Sequence, residues 1–254
     1  RNEMLTQKEV DSLQQLPLEI QFNPQSHREG LATYFRAYLR QFMLKWISEN
    51  PKPDGEKYNL YLDGLTIYTT LDSRMQTYAE NAVKEHMSNL QDAFFEQNTP
   101  KWNPTAPFLD LTEKEIERLM EQAMRRSERW RKMKLAGKTE DDIKASFEEK
   151  TAMKIFSWKG EIDTGMSPID SIRHYKHFLR SGMMSMDPQT GHVKAWVGGI
   201  NYKHFQFDHV YQGKRQIGST FKPFVYASAI DQLKLSPCDS FPDGFYCVEA
   251  RKFG

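Results

Sequence analysis

The chain of 254 residues carries 35 Lys and Arg against 34 Asp and Glu, a formal net charge of +1, and its mean hydropathy is negative. That length allows at least two structural units; the near-neutral balance argues against a nucleic-acid binder, and no apolar run approaches the roughly 18 residues that a membrane span needs. Seven histidines scattered without ligand spacing argue against a metal site.

The opening, RNEMLTQKEVDSLQQLPLEI, has neither an initiator methionine nor the pattern of a leader peptide, and reads as an amphipathic helix over residues 5–16. Thr6, with Glu9 three residues on, has the capping-box pattern. Pro17 and Pro24 bracket a short extended piece. From Ser26 to Ile47, the helical spacing of Leu31, Tyr34, Phe35, Tyr38, Leu39, Phe42 and Trp46 predicts one aromatic stripe, a core feature rather than a ligand site. The run ENPKPDGEKYN is a turn by composition. LTIYTTLD alternates as a strand does, and Asp72 can cap a long helix that reaches Asn98.

Thr112 and Glu115 repeat the capping-box pattern at the head of a charged helix that carries MRRSERWRKMKLAGK. Seven basic residues against one glutamate in that run predict a solvated face; a docking patch for a phosphate-bearing lipid or an acidic partner is the alternative. From Thr151, short strands and tight turns take over. AMKIFSW alternates, SPIDSIRHYKHFL runs from helix into strand, and RSGMMSMDPQTGHVKAWVGG sets two β-like runs around a turn from Asp187 to Gly191, a β-hairpin. A third run, FQFDHVY, extends this into an antiparallel meander that leads through QGKRQIG into STFKPFVYASAI. Cys238 and Cys247 come next, in a segment rich in Pro, Asp and Gly. An oxidising compartment would let them close a short loop, and a reducing one would keep them as thiols.

Ser219 and Lys222 stand where the glycine-containing loop gives way to an apolar run. Pro223 dates the helix start, because a residue without N–H is tolerated only in the first turn. Ser219 admits two readings. It is an N-cap, its hydroxyl accepting from an amide two or three residues on. Or it is an activated nucleophile, since residues three apart share a helix face and the bare amides of a helix N-terminus suit a developing oxyanion.

The runs SMDPQTGHVKAWVGG and QGKRQIGSTFKPFVYASAI resemble the opening of the transpeptidase domain of class A penicillin-binding proteins, the bifunctional enzymes that polymerise and cross-link bacterial peptidoglycan. GLTIYTTLDSRMQ, residues 64–76, resembles the segment joining their glycosyltransferase and transpeptidase halves. LTQKEVDSLQQLPLEI is similar to the last helix of the glycosyltransferase domain, and GLATYFRAYLRQ to the segment directly after that helix. Residues 85–150 carry no such likeness. The resemblance implies an α+β fold: a helical linker region with a small β element, then the opening antiparallel strands and nucleophile helix of a penicillin-binding transpeptidase domain of the serine β-lactamase-like kind. It divides the chain into a glycosyltransferase tail (1–25), an interdomain linker with a helical insertion (26–175) and the N-terminal part of a transpeptidase domain (176–254).

Carried over by residue, Ser219 resembles the nucleophile that attacks the D-Ala-D-Ala carbonyl of a stem peptide and that β-lactams acylate. Lys222 is similar to the neighbouring lysine taken as general base, and the Ser219 amide would give half of the oxyanion hole. A lysine partly desolvated beside a helix N-terminus should lose affinity for its proton. Serine acyl transfer needs no cofactor and no metal. The family's S-x-N and K-T-G motifs lie beyond the nucleophile, but the 35 residues after Ser219 hold neither; SEN at 48–50 and GKT at 137–139 are chance matches. The second oxyanion amide, the carboxylate pocket and the glycosyltransferase glutamates are therefore missing, and Ile217 stands where relatives usually carry proline.

The expectation is a fragment of a peptidoglycan synthase, a serine D,D-transpeptidase with a glycosyltransferase upstream, that does not turn over by itself. The implied partners are stem peptides, β-lactams and, through the helical insertion, proteins of the cell-wall machinery. The implied location is the periplasmic side of the bacterial inner membrane, with an anchor N-terminal to Arg1. An interaction module of that machinery, and a β-lactam sensor acylated without transfer, are the alternatives; a reading frame that continues into S-x-N and K-T-G favours the enzyme.

Overall fold

The computed structural model describes residues 6–14, 27–99, 101–240 and 244; the extended piece between Pro17 and Pro24, and Cys247, lie outside them. Residue contacts divide the chain into two units, Arg1–Gln212 and Gly213–Gly254.

In the first unit, helix α1 (Gln7–Gln14) opens as its sequence suggests, with Glu9 Oε2 accepting from the Thr6 backbone N–H and hydroxyl, each at 2.8 Å. Helix α2 (Thr33–Glu49) starts later than the aromatic spacing implied. Ala32 takes φ 55, and a right-handed helix does not extend back through a left-handed residue. The stripe is also narrower than its spacing suggests. Tyr34, Met43 and Ile47 are buried, Phe35 and Tyr38 lie half-buried with rings against Trp196, and Leu31, Phe42 and Trp46 are exposed. Aromatic residues on both flanks of the helix satisfy the same period, so spacing alone over-counts the buried side.

LTIYTTLD forms no strand. Only its end is tied down, by Thr70 Oγ1 donating to Val193 O (2.7 Å) and Asp72 N–H donating to Lys194 O (3.0 Å). Asp72 then caps the long helix α3 (Ser73–Gln97), its carboxylate accepting from the N–H groups of Arg74 (2.9 Å) and Met75 (3.1 Å). Those two amides, Met75 foremost, hold the Asp72 carboxyl below the usual carboxylate range.

The charged middle is not one helix. It is α4 (Glu113–Arg125), with the full Thr112–Glu115 capping box, and then α5 (Glu128–Leu135), restarted by Ser127, whose hydroxyl accepts from Trp130 N–H. Helix α6 (Glu140–Glu148) lies behind Thr139. The break lets Trp130 turn inward, where it packs with Met124, Ile143 and Phe147. Phe108, Ile116 and Met120 form a second cluster. Ile169 and Ile172, of the helix α7 (Pro168–Lys176), pack against both and join them into one core.

Strands β1 (Thr151–Ile155) and β2 (Ile162–Met166) pair antiparallel from Thr151↔Met166 to Ile155↔Ile162. Strands β3 (Met183–Met186) and β4 (Val193–Val197) pair antiparallel around the expected turn, with a register shift between Ser185 and Met186. Asp187 accepts from Gln189 N–H, and Gly191 supplies the positive φ of 71. FQFDHVY is not a third strand: residues 205–211 form loop and turn, because Asp208 turns inward and gathers the N–H groups of Val210 and Tyr211. The architecture is the α+β arrangement expected, without the meander.

Candidate active site

In the second unit, Gly218–Phe221 form a single 3₁₀ turn that runs into helix α8 (Lys222–Leu233). Gly218 has φ +55, a value open to glycine at little cost, and this bends the QGKRQIG loop into the turn. Pro223 sits in the first turn of α8, as its missing N–H demands. Ser219 therefore lies one residue inside the turn, and its carbonyl accepts from the N–H of Lys222. The hydrogen-bonding hydroxyl at this junction is that of Thr220, which donates to Ile217 O at 2.6 Å. The residue flanking α8 is Phe221, with no side-chain cap, so Ser219 does not serve as its N-cap.

Ser219 and Lys222 are both exposed. So is much of the apolar surface of α8, with Phe224, Tyr226 and Leu233 each more than half exposed. The desolvation of Lys222 expected from the chemistry is thus not supplied by the described residues. What the turn does supply is order: a serine hydroxyl, then an amine one helical turn on, at the mouth of a helix.

The hairpin that precedes this segment in sequence belongs to the first unit, where α3 and the start of α2 hold it. Trp196 of β4 donates its indole Nε1–H to the buried Asp208 carboxylate at 2.9 Å, and the Tyr34 hydroxyl donates to Phe205 O at 2.5 Å. Gly198 and Gly199 allow this: a Cβ on Gly198 would lie 2.5 Å from Asp208 Oδ1, and one on Gly199 would strike the Tyr34 hydroxyl. Burial pushes the Tyr34 phenol well above its ordinary range.

Comparison with known proteins gives two family matches in tandem. The penicillin-binding protein middle domain matches residues 103–179, and the penicillin binding protein transpeptidase domain matches residues 181–250. Together they cover more than half of the chain. It belongs to the class A penicillin-binding proteins. Among its curated relatives are proteins named penicillin-binding protein 1A from Rickettsia bellii, 26% identical over 84% of this chain, and from Vibrio cholerae, 24% identical over 77%; each alignment takes in 27% of the relative. A third, from Pseudomonas aeruginosa, is 40% identical over 52 residues. The chain thus spans about a quarter of the length of the curated relatives it matches. No solved structure matches it significantly.

The family match extends into the charged middle, to which the sequence resemblance had assigned nothing. Within it the basic run is largely paired inside the chain. Arg125 bridges Glu121 (3.0 Å) and Glu140 (2.9 Å) and lies over the Trp130 ring, Arg129 donates to Ser146 O, and Arg131 and Lys132 both meet Glu128. Among the described residues no group of three or more His, Cys, Asp or Glu is placed to hold a metal ion, and no helix is long and apolar enough to cross a membrane. Cys238 is exposed.

Proposed function

We propose that this chain carries the nucleophile end of a serine D,D-transpeptidase acting on peptidoglycan. Ser219 Oγ attacks the carbonyl of the penultimate D-Ala of a stem peptide while Lys222 Nζ, as free amine, takes the hydroxyl proton. The terminal D-Ala leaves with that proton on its nitrogen, and an amine of a neighbouring stem peptide then displaces Ser219 to form the cross-link. A β-lactam traps the first half of this sequence as a stable acyl-serine. The remaining donors and the carboxylate pocket come, on this reading, from S-x-N and K-T-G motifs later in the protein, with a glycosyltransferase upstream. The anchor holds it to the bacterial inner membrane, and the catalytic part faces the periplasm.

The observation that carries the reading is the placement of Ser219 on the turn Gly218–Phe221 with Lys222 opening α8, inside a segment similar to the transpeptidase domain. The boundaries that go with it are a glycosyltransferase tail to residue 25, a linker to 175 and the transpeptidase part from 176; the change of family match between residues 179 and 181 supports the last of these. A docking role for the helical middle toward other cell-wall proteins has less support, since Arg125, Arg129, Arg131 and Lys132 have partners within the chain.

The test is donor and acceptor chemistry in the full-length protein. A pentapeptide ending in D-Ala-D-Ala, offered with an acceptor amine, should give cross-linked product and free D-Ala, and Ser219→Ala should abolish both. Acylation by penicillin without any cross-linking would favour the sensor instead, and product formation that survives Ser219→Ala would overturn the assignment.

A further inference from the structure

The turn that carries Ser219 is closed on a single atom. Ile217 O accepts the Thr220 hydroxyl at 2.6 Å and the Thr220 N–H at 3.3 Å, so two donors of one residue meet the carbonyl three positions back. The two bonds are unequal. The first lies at the short end of the O–H···O range and the second is longer than N–H···O bonds ordinarily are, so the hydroxyl carries most of the closure. Nothing else among the described residues braces the turn. Ile217, Ser219 and Thr220 are exposed, a Cβ on Gly218 would meet nothing within 4 Å, and the N–H groups of Ile217 and Ser219 have no acceptor there.

The peptide enclosed by this closure is the one between Gly218 and Ser219. It carries the Ser219 N–H, a backbone donor of the kind that acyl-transfer sites set toward the developing oxyanion. In a four-residue turn this middle peptide is the one that can rotate while the flanking residues stay in place, which is the difference between type I and type II turns. Glycine at 218, with φ +55, puts little steric resistance in its way. Ile217, at the other end of the closure, holds φ −69 and ψ −39. That φ is the value a proline ring would impose, yet nothing in the covalent structure of an isoleucine fixes it.

We propose that Thr220 is a positioning residue for the chemistry of Ser219. By donating its hydroxyl to Ile217 O it fixes the Ile217 backbone and, through it, the Gly218–Ser219 peptide, so that the Ser219 N–H is already in place when the oxyanion forms; Thr220 itself touches no substrate. This rests on the reading of Ser219 as the nucleophile, and it divides the work between two adjacent hydroxyls. That of Ser219 has no partner among the described residues and can give its proton to Lys222, whereas the proton of Thr220 is committed to Ile217 O.

The experiment is stopped-flow acylation of the full-length protein by a fluorescent penicillin, which separates the dissociation constant of the first complex from the rate constant of Ser219 acylation. Thr220→Val keeps the branched shape and removes the donor. It should slow acylation about tenfold, the scale of one lost hydrogen bond, with the dissociation constant and the thermal melt unchanged. Thr220→Ser keeps the hydroxyl and should acylate near the wild-type rate. Ile217→Pro suits the φ already present and removes no N–H bond; added to Thr220→Val, it should restore most of the lost rate by narrowing the same backbone. Wild-type acylation in Thr220→Val, a loss there matched by a lower melting temperature, Thr220→Ser as slow as Thr220→Val, or no recovery in the double variant would each overturn the positioning role. All four leave the transpeptidase reading standing, because the wild type still acylates. A wild type that forms no acyl-serine overturns that reading, and the role of Thr220 falls with it.

Discussion

The side chain of Gln76 on α3 is bonded twice to the backbone of Trp196 on β4: Trp196 N–H donates to Oε1 at 2.7 Å, and Nε2 donates to Trp196 O at 2.9 Å. The amide thus takes the place of a neighbouring strand, pairing a residue of β4 that faces a helix. Gln91, four turns further on, does the same for the chain after α7, accepting from Leu179 N–H (2.8 Å) and donating to His177 O (2.9 Å). Both glutamines are almost wholly buried. Burying an amide is costly unless its groups are paired, so these contacts fix where the hairpin and the end of α7 dock on α3.

Gln76→Leu fills the space but strands the N–H and C=O of Trp196 away from water. It should lower unfolding stability by about 1–3 kcal/mol, the cost of unsatisfied buried groups. Gln91→Leu should act the same way, and the exposed neighbour Glu85→Gln should change little. Chemical denaturation followed by circular dichroism measures all three.

Gly198→Ala should also destabilise, because the new Cβ would lie 2.5 Å from Asp208 Oδ1 and 2.7 Å from Tyr34 Cδ1. Overpacking at such a site costs about 1–3 kcal/mol. Gly165→Ala in β2, where nothing lies within 4 Å, should leave stability unchanged or slightly higher. A thermal melt in which the two variants behave alike would show that Gly198 is not there for close approach.

The cap on α3 gives a pH signature. The Asp72 carboxyl is held below its unfolded value by the amides of Met75 and Arg74, so its contribution is complete above the unfolded carboxylate pKa and is lost as pH falls through the lower folded value. Asp72→Ala should therefore melt below the wild type at pH 7, with the gap closing in strong acid. A gap independent of pH would mean that Asp72 does not act through its charged form.

Local chemistry was the part of this fold that the sequence made legible. The caps at Asp72 and Thr112 and the turn from Asp187 to Gly191 each depend on partners within five residues, and each formed where the residues indicated. Pro223 likewise placed the α8 start correctly. What escaped depends on distant partners. Gln76 and Gln91 read as ordinary polar helix positions until the backbone 120 and 86 or more residues away is known. FQFDHVY alternates like a strand, yet Asp208 is claimed by Trp196 and by its own turn. Ser127, set inside a basic cluster, gave no sign that it would restart a helix, although its hydroxyl is a sound N-cap. For the candidate site, S-x-x-K ahead of an apolar run was visible at once, whereas the exposure of Ser219 and Lys222 was not, because solvent access is set by packing rather than by spacing.

Lys222 carries its own prediction. Lys222→Ala should slow acylation of Ser219 by about 10²-fold or more, the usual contribution of a positioned base, with the fold intact by circular dichroism. An acylation rate unchanged by that substitution would remove Lys222 from the chemistry and leave it a helix-start residue.

The most direct measurement is peptide mapping by tandem mass spectrometry of the full-length protein after incubation with benzylpenicillin. A single penicilloyl adduct on Ser219, absent in Ser219→Ala, is the result expected if this serine is the nucleophile. An adduct on another residue, or none in protein that is demonstrably folded, would contradict the account.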